Sequence, residues 1–137
     1  MPQTDRKPEK EEKKWIRIAE TKGIGKVGIS EDVLAIMAGI AAMEVDGVAS
    51  INKNATRQLI AKLGIKSLAH GVRVVEEDGA LNVSINLNLE YESNAAEVSA
   101  QVQERVKSCV QNMTGMTVEA VNVSIAGVEL PAEKKKS

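Results

Sequence analysis

The sequence predicts a two-layer α+β fold, in which two long helices and one short helix pack on one face of a mixed sheet of about four to five strands. Two segments that alternate and one that repeats at helical spacing carry this expectation. Leu81, Val83, Ile85, Leu87, Leu89 and Tyr91 alternate with Asn82, Ser84, Asn86, Asn88 and Glu90, the period-two signature of a strand with one dry face and one wet face. Val121, Val123 and Ile125 alternate with Asn122 and Ser124 in the same way. Between them, Ala95, Val98, Val102, Val106, Cys109 and Met113 recur at three and four residues, which makes one apolar stripe along a helix. A doubly wound parallel sheet would instead have strands apolar on both faces, so helices are expected on one side only.

The elements follow in chain order. Gly25–Ile29 reads as a short strand, and Ser30 then offers an N-cap oxygen to a helix over residues 31–44, with Glu31 and Asp32 placed to favour its dipole. That helix is apolar around most of its circumference and carries Ala35, Ala38, Gly39 and Ala42. Small residues at this spacing fit tight packing on a sheet or a helix–helix interface. Asp46 and Gly47 end it, and Val48–Ile51 reads as a strand. Asn54 is expected to cap a short helix over residues 55–63, closed by Gly64. Gly71–Glu76 is the next strand, turned by Asp78-Gly79 into the long alternating one. Asn94 opens the second long helix, which Gly115 closes.

Composition narrows the function classes. The chain has 137 residues, enough for one domain. Trp15 and Tyr91 are its only aromatic residues, so a base-stacking platform for nucleic acid cannot be built. Residues 23–130 carry a net charge of −5, against +2 for residues 1–22 and +2 for residues 131–137. An acidic body repels a phosphate backbone, and nucleic acid is not an expected partner. Both charged ends are expected to be disordered tails around a folded domain of residues 23–130. Weak contact with anionic lipid is the functional alternative for them, with Trp15, Ile16 and Ile18 as a short anchor. A secretory signal and a membrane-spanning run are both lacking, and Cys109 has no second thiol to pair with, so a reducing cytoplasm is the expected compartment.

Motifs that resemble catalytic or cofactor sites fail on context. Gly23, Gly25 and Gly28 match GxGxxG, but a charged segment precedes them and the last glycine sits inside a strand, whereas a dinucleotide site needs a buried strand before and a helix directly after. A lone His70 supplies no triad or histidine metal site, and Cys109 on an apolar stripe reads as a small hydrophobe. Glu76, Glu77 and Asp78 lack the ligand spacing of a calcium loop. No catalytic residue, cofactor or metal is therefore expected, and an enzyme is not. What remains is the polar sheet face, lined by Asn82, Ser84, Asn86, Asn88, Asn122 and Ser124 and nearly free of charge. It reads either as an ordinary solvated face or as an interaction face for a partner or a second copy, since exposed strands usually carry charges that discourage association.

Three segments in this order, GKVGISEDVLAIMAGIAAMEVDGVASI, GVRVVEEDGALNVSINLNLEY and VSAQVQERVKSCVQNMTGMTVEAVNVSIAGVEL, resemble the alkaline shock protein family, also called the Gls-type general stress family. The resemblance covers roughly residues 23–130 and rests on packing and turn patterns, so it brings no active-site residues. It implies a non-enzymatic cytoplasmic protein of cell-envelope homeostasis and general stress response, acting as an interaction or scaffold module and forming homo-oligomers. Some members of that family are held at the membrane by an integral-membrane anchor protein. Others are linked to fatty-acid synthesis at acetyl-CoA carboxylase, whose subunits are the alternative partners the resemblance implies.

Overall fold

A computed structural model describes residues 14–51, 55–56 and 70–130. Strands β1 (Trp15–Thr21) and β2 (Gly25–Ser30) come first, followed by helix α1 (Glu31–Met43) and strands β3 (Val48–Ile51), β4 (Ala55–Thr56), β5 (Val72–Glu77) and β6 (Ala80–Glu90). Helix α2 (Ala95–Thr114) and strand β7 (Thr117–Glu129) complete the chain. The class is α+β, with two described helices and two sheets.

β6 is the spine of the larger sheet. β5 pairs with it antiparallel over Ala80–Ile85 and β3 antiparallel over Leu87–Leu89, so the two share one edge in succession. β4 extends the sheet beyond β3. β7 runs parallel along the whole of the other edge, from Ala80↔Thr117 to Glu90↔Glu129. The mixed sheet follows from connection lengths. A two-residue turn can join only antiparallel strands, whereas the helical crossover through α2 returns the chain parallel. Asp78 and Gly79 both adopt positive φ, 50° and 81°, as the tight primed hairpin turn requires.

Both helices cover the same face. Leu81, Val83, Ile85, Leu87 and Leu89 are at most 2% exposed and meet the α2 stripe Val98, Val102, Val106 and Val110 together with Leu34, Ala35, Ala38 and Ala42 of α1. Full burial of each Val, Leu or Ile stabilises by about 1.5–3 kcal/mol, so this interior holds the fold without a phenylalanine. α1 packs on α2 and also on β5 and β3, and its small residues Ala35, Ala38, Gly39 and Ala42 are buried. The Ser30 hydroxyl accepts from Val33 N–H at 3.2 Å and the Asn94 side chain from Glu97 N–H at 3.0 Å. Gly115 closes α2 at φ 75°, a left-handed cap that glycine adopts without Cβ strain.

Three expectations need correction. Residues 15–21, assigned to a disordered tail, form β1, which pairs antiparallel with β2 and buries Ile16 to 2% exposure. Arg17 and Glu20 obscure the pattern, in which Ile16 is buried and Ile18 packs partly against the core. The short helix expected over residues 55–63 does not begin at Ala55: Ala55 and Thr56 pair with Ile51 and Ser50 as a strand, and the rest of that expectation lies outside the described residues. β7 reaches 13 residues, well beyond the alternating core of Val121–Ile125, because β6 offers a partner along its full length. The tails at residues 1–13 and 131–137 also lie outside the described residues.

Candidate interaction surface

The register aligns polar side chains of neighbouring strands in rows across the uncovered face. Ser84 of β6 stands between Arg73 of β5 and Asn122 of β7, and Asn86 stands beside Ser124. Asn82 stands between Val75 and Ala120. Ser84, Asn86, Asn122 and Ser124 are all exposed, and Arg73, beside Ser84, is the one charged side chain paired with them in the register. They form a two-by-two block in which hydroxyl and amide alternate across strands. Asn82 is half-buried, and its side-chain amide donates to the Glu77 carboxylate at 3.4 Å.

Asn88 departs from the expectation that all six residues face solvent. It is 9% exposed, and its Nδ2 donates to the Ser50 hydroxyl at 2.9 Å. That hydroxyl, fully buried, donates in turn to Glu129 Oε2 at 2.9 Å. On the β7 side, Gly127 leaves the space: a Cβ there would stand 2.8 Å from Asn88 Oδ1. The sheet face therefore has a closed end built from β3, β6 and β7, and an open middle. Alternation placed Asn88 on the correct face, but its burial depends on Ser50, Glu129 and Gly127, which lie 38, 41 and 39 residues away in sequence.

The other residues singled out by chemistry are dispersed. His70 is exposed and lines a depression at the β5 edge with Glu31, Asp32, Arg73, Ser84 and Asn86. Cys109 lies in a different groove, between α1 and α2, beside Met37, Ile40, Glu44 and Arg105. Burial pushes the Cys109 thiol above its ordinary range, the Glu44 carboxylate adds to that, and the Arg105 guanidinium opposes it. At neutral pH the group is a thiol and a poor nucleophile. Gly23 and Gly25 shape the turn between β1 and β2, with φ of 82° and 139°, and Gly28 lies within β2. No helix starts at the last glycine, so GxGxxG here is a hairpin. Among the described residues no three His, Cys, Asp or Glu side chains cluster as a metal site would require, and no helix is long and apolar enough to cross a membrane.

The edge of the sheet carries a feature that the sequence did not announce. Gln111 Oε1 accepts from Val118 N–H at 3.0 Å and Gln103 Nε2 donates to the Val121 carbonyl at 2.9 Å. Two glutamines of α2 thus occupy backbone groups along the first half of β7. Their position on the polar side of α2, eight residues apart, is the only sequence signal for this.

Such an architecture defines a class: a two-layer α+β domain whose distinctive surfaces are a polar strand face and a sheet edge. The chain belongs to the alkaline shock protein 23 family, of cell envelope-related function, whose model matches residues 19–130. Among its relatives, YqhY of Bacillus subtilis is 29% identical over 113 residues, covering 82% of this chain and 84% of that protein. Spy1535 of Streptococcus pyogenes is 34% identical over 109 residues, with 79% and 82% covered. A solved MamM CTD structure covers 72% of this chain and 95% of its own at 16% identity, with a TM-score of 0.44.

Proposed function

We propose that this chain is a non-enzymatic interaction and scaffold protein of the cytoplasm, serving cell-envelope homeostasis and the general stress response, which associates with itself and is brought to the membrane by a protein partner. The observation that carries this reading is the exposed block of Ser84, Asn86, Asn122 and Ser124. Amide and hydroxyl groups of this kind pay a smaller desolvation penalty than carboxylates or ammonium groups when a partner covers them. An interface can accept their hydrogen bonds in place of water. Family membership supports the envelope role, and the dispersion of His70 and Cys109 between separate depressions supports a role without chemistry of its own.

The test is a full-length chain carrying Asn86→Asp and Ser124→Asp together, compared with the unaltered protein in fractionated cells. Loss of membrane-fraction recovery with unchanged thermal stability is the expected result. Equal recovery of both forms would overturn the role of this face. Co-purification of acetyl-CoA carboxylase subunits in place of envelope proteins would turn the reading toward regulation of fatty-acid synthesis.

A further inference from the structure

β7 is the outer border of the larger sheet, because β6 covers its inner edge and no described strand pairs with its outer one. Its two halves are treated differently. Gln111 and Gln103 hold backbone groups at Val118 and Val121. From Asn122 to Val128, no hydrogen bond from another strand or from a side chain among the described residues reaches the outer edge. Natural sheets protect such an edge with charges, proline or a bulge. Here Asn122–Val128 contains neither charge nor proline, and Ile125, Val128 and the following Leu130 are 38%, 57% and 55% exposed. A bulge at Ala126, where the register passes from Leu87↔Ile125 to Asn88↔Gly127, turns the strand only near its end. Among the described residues nothing shields Asn122–Ile125.

We infer that the open half of β7 pairs antiparallel with the same stretch of a second copy, joining two sheets into one across a two-fold axis. The inference rests on the reading of the chain as self-associating and adds the surface through which it does so. Charge selects both the occupant and the direction. The stretch between Glu119 and Glu129 is uncharged, so a copy of itself meets no like charge along it. The sequence after Leu130 includes Lys134, Lys135 and Lys136. In an antiparallel pair the end of each β7 lies toward the start of the partner copy's strand, where a glutamate at position 119 and the carboxyl end of a helix with no basic residue in its last turn complement the lysines of that sequence. That helix end carries partial negative charge. A parallel pair would set lysines against lysines. Two-fold pairing of identical edges also closes after two copies and leaves no growing end.

Sedimentation equilibrium of the full-length protein tests this, alongside hydrogen exchange at low and high protein concentration. The unaltered chain is expected to form a dimer in which the amides of residues 122–125 become more protected as concentration rises. Ile125→Lys is expected to weaken the dimer by about tenfold or more, as a lysine on a strand edge does, with circular dichroism and melting temperature preserved. Removal of residues 131–137 weakens it less, and added salt erases that difference. A dimer that survives Ile125→Lys, or amides at 122–125 whose protection ignores concentration, overturns the edge pairing while the self-associating reading stands. If Asn86→Asp with Ser124→Asp dissociates the dimer and Ile125→Lys does not, the sheet face is the contact instead of the edge. A monomer at every concentration overturns both.

Discussion

Asn86 and Asn88 are the same amino acid, two positions apart on one strand and on one face of it, yet Asn86 is exposed and Asn88 is 9% exposed within a hydrogen-bonded chain. Neither local sequence nor strand geometry separates them. The difference lies in what flanks β6 at each level: Ser124 beside Asn86, but Ser50 and Gly127 on either side of Asn88. A polar residue on a strand becomes structural when neighbouring strands supply partners and a missing side chain supplies room. Where they do not, it stays available to solvent or to another molecule.

Leu87, between the two asparagines and pointing to the opposite face, sets the upper end of the scale. It is 0% exposed beneath the helices, and Leu87→Ala is expected to cost about 2–5 kcal/mol through lost burial and the cavity left behind, read from urea unfolding. Asn88→Ala is expected to cost about 1–3 kcal/mol, since the buried Ser50 hydroxyl loses one partner, whereas Asn86→Ala stays within about 0.5 kcal/mol. Equal effects of the two asparagine substitutions on the urea midpoint would erase this contrast. The smallest expected effect concerns Cys109. Its folded-state pKa is raised, so its share of stability is present below the ordinary thiol value of 9.0 and is lost as pH climbs through the higher folded value. The unaltered protein should therefore lose slightly more stability than Cys109→Ala between neutral and strongly alkaline pH, and iodoacetamide should label Cys109 more slowly at neutral pH than after unfolding.

Much of the molecule is legible before any coordinates. The caps Ser30, Asn94 and Gly115 and the Asp78-Gly79 turn act within a few residues of themselves, so their sequence neighbourhood contains the whole interaction. The open block was legible for the same reason, because alternation assigns Ser84, Asn86, Asn122 and Ser124 to one side of their strands. β1 was not legible. Its order depends on pairing with β2 and on Ile16 reaching the core, while its own composition is that of a charged tail.

By itself the sequence determined the two long helices, the turns, the single dry face of the long strands and the presence of one histidine and one cysteine. These are properties of period, cap and composition, and each is complete within a short span of chain. Tertiary structure alone decided that β7 lies at the border, that two glutamines close half of its edge, and that Asn88 is enclosed while Asn86 is not. Those outcomes depend on strand order and register between distant segments, and a periodic pattern carries no record of which strand will lie next to it.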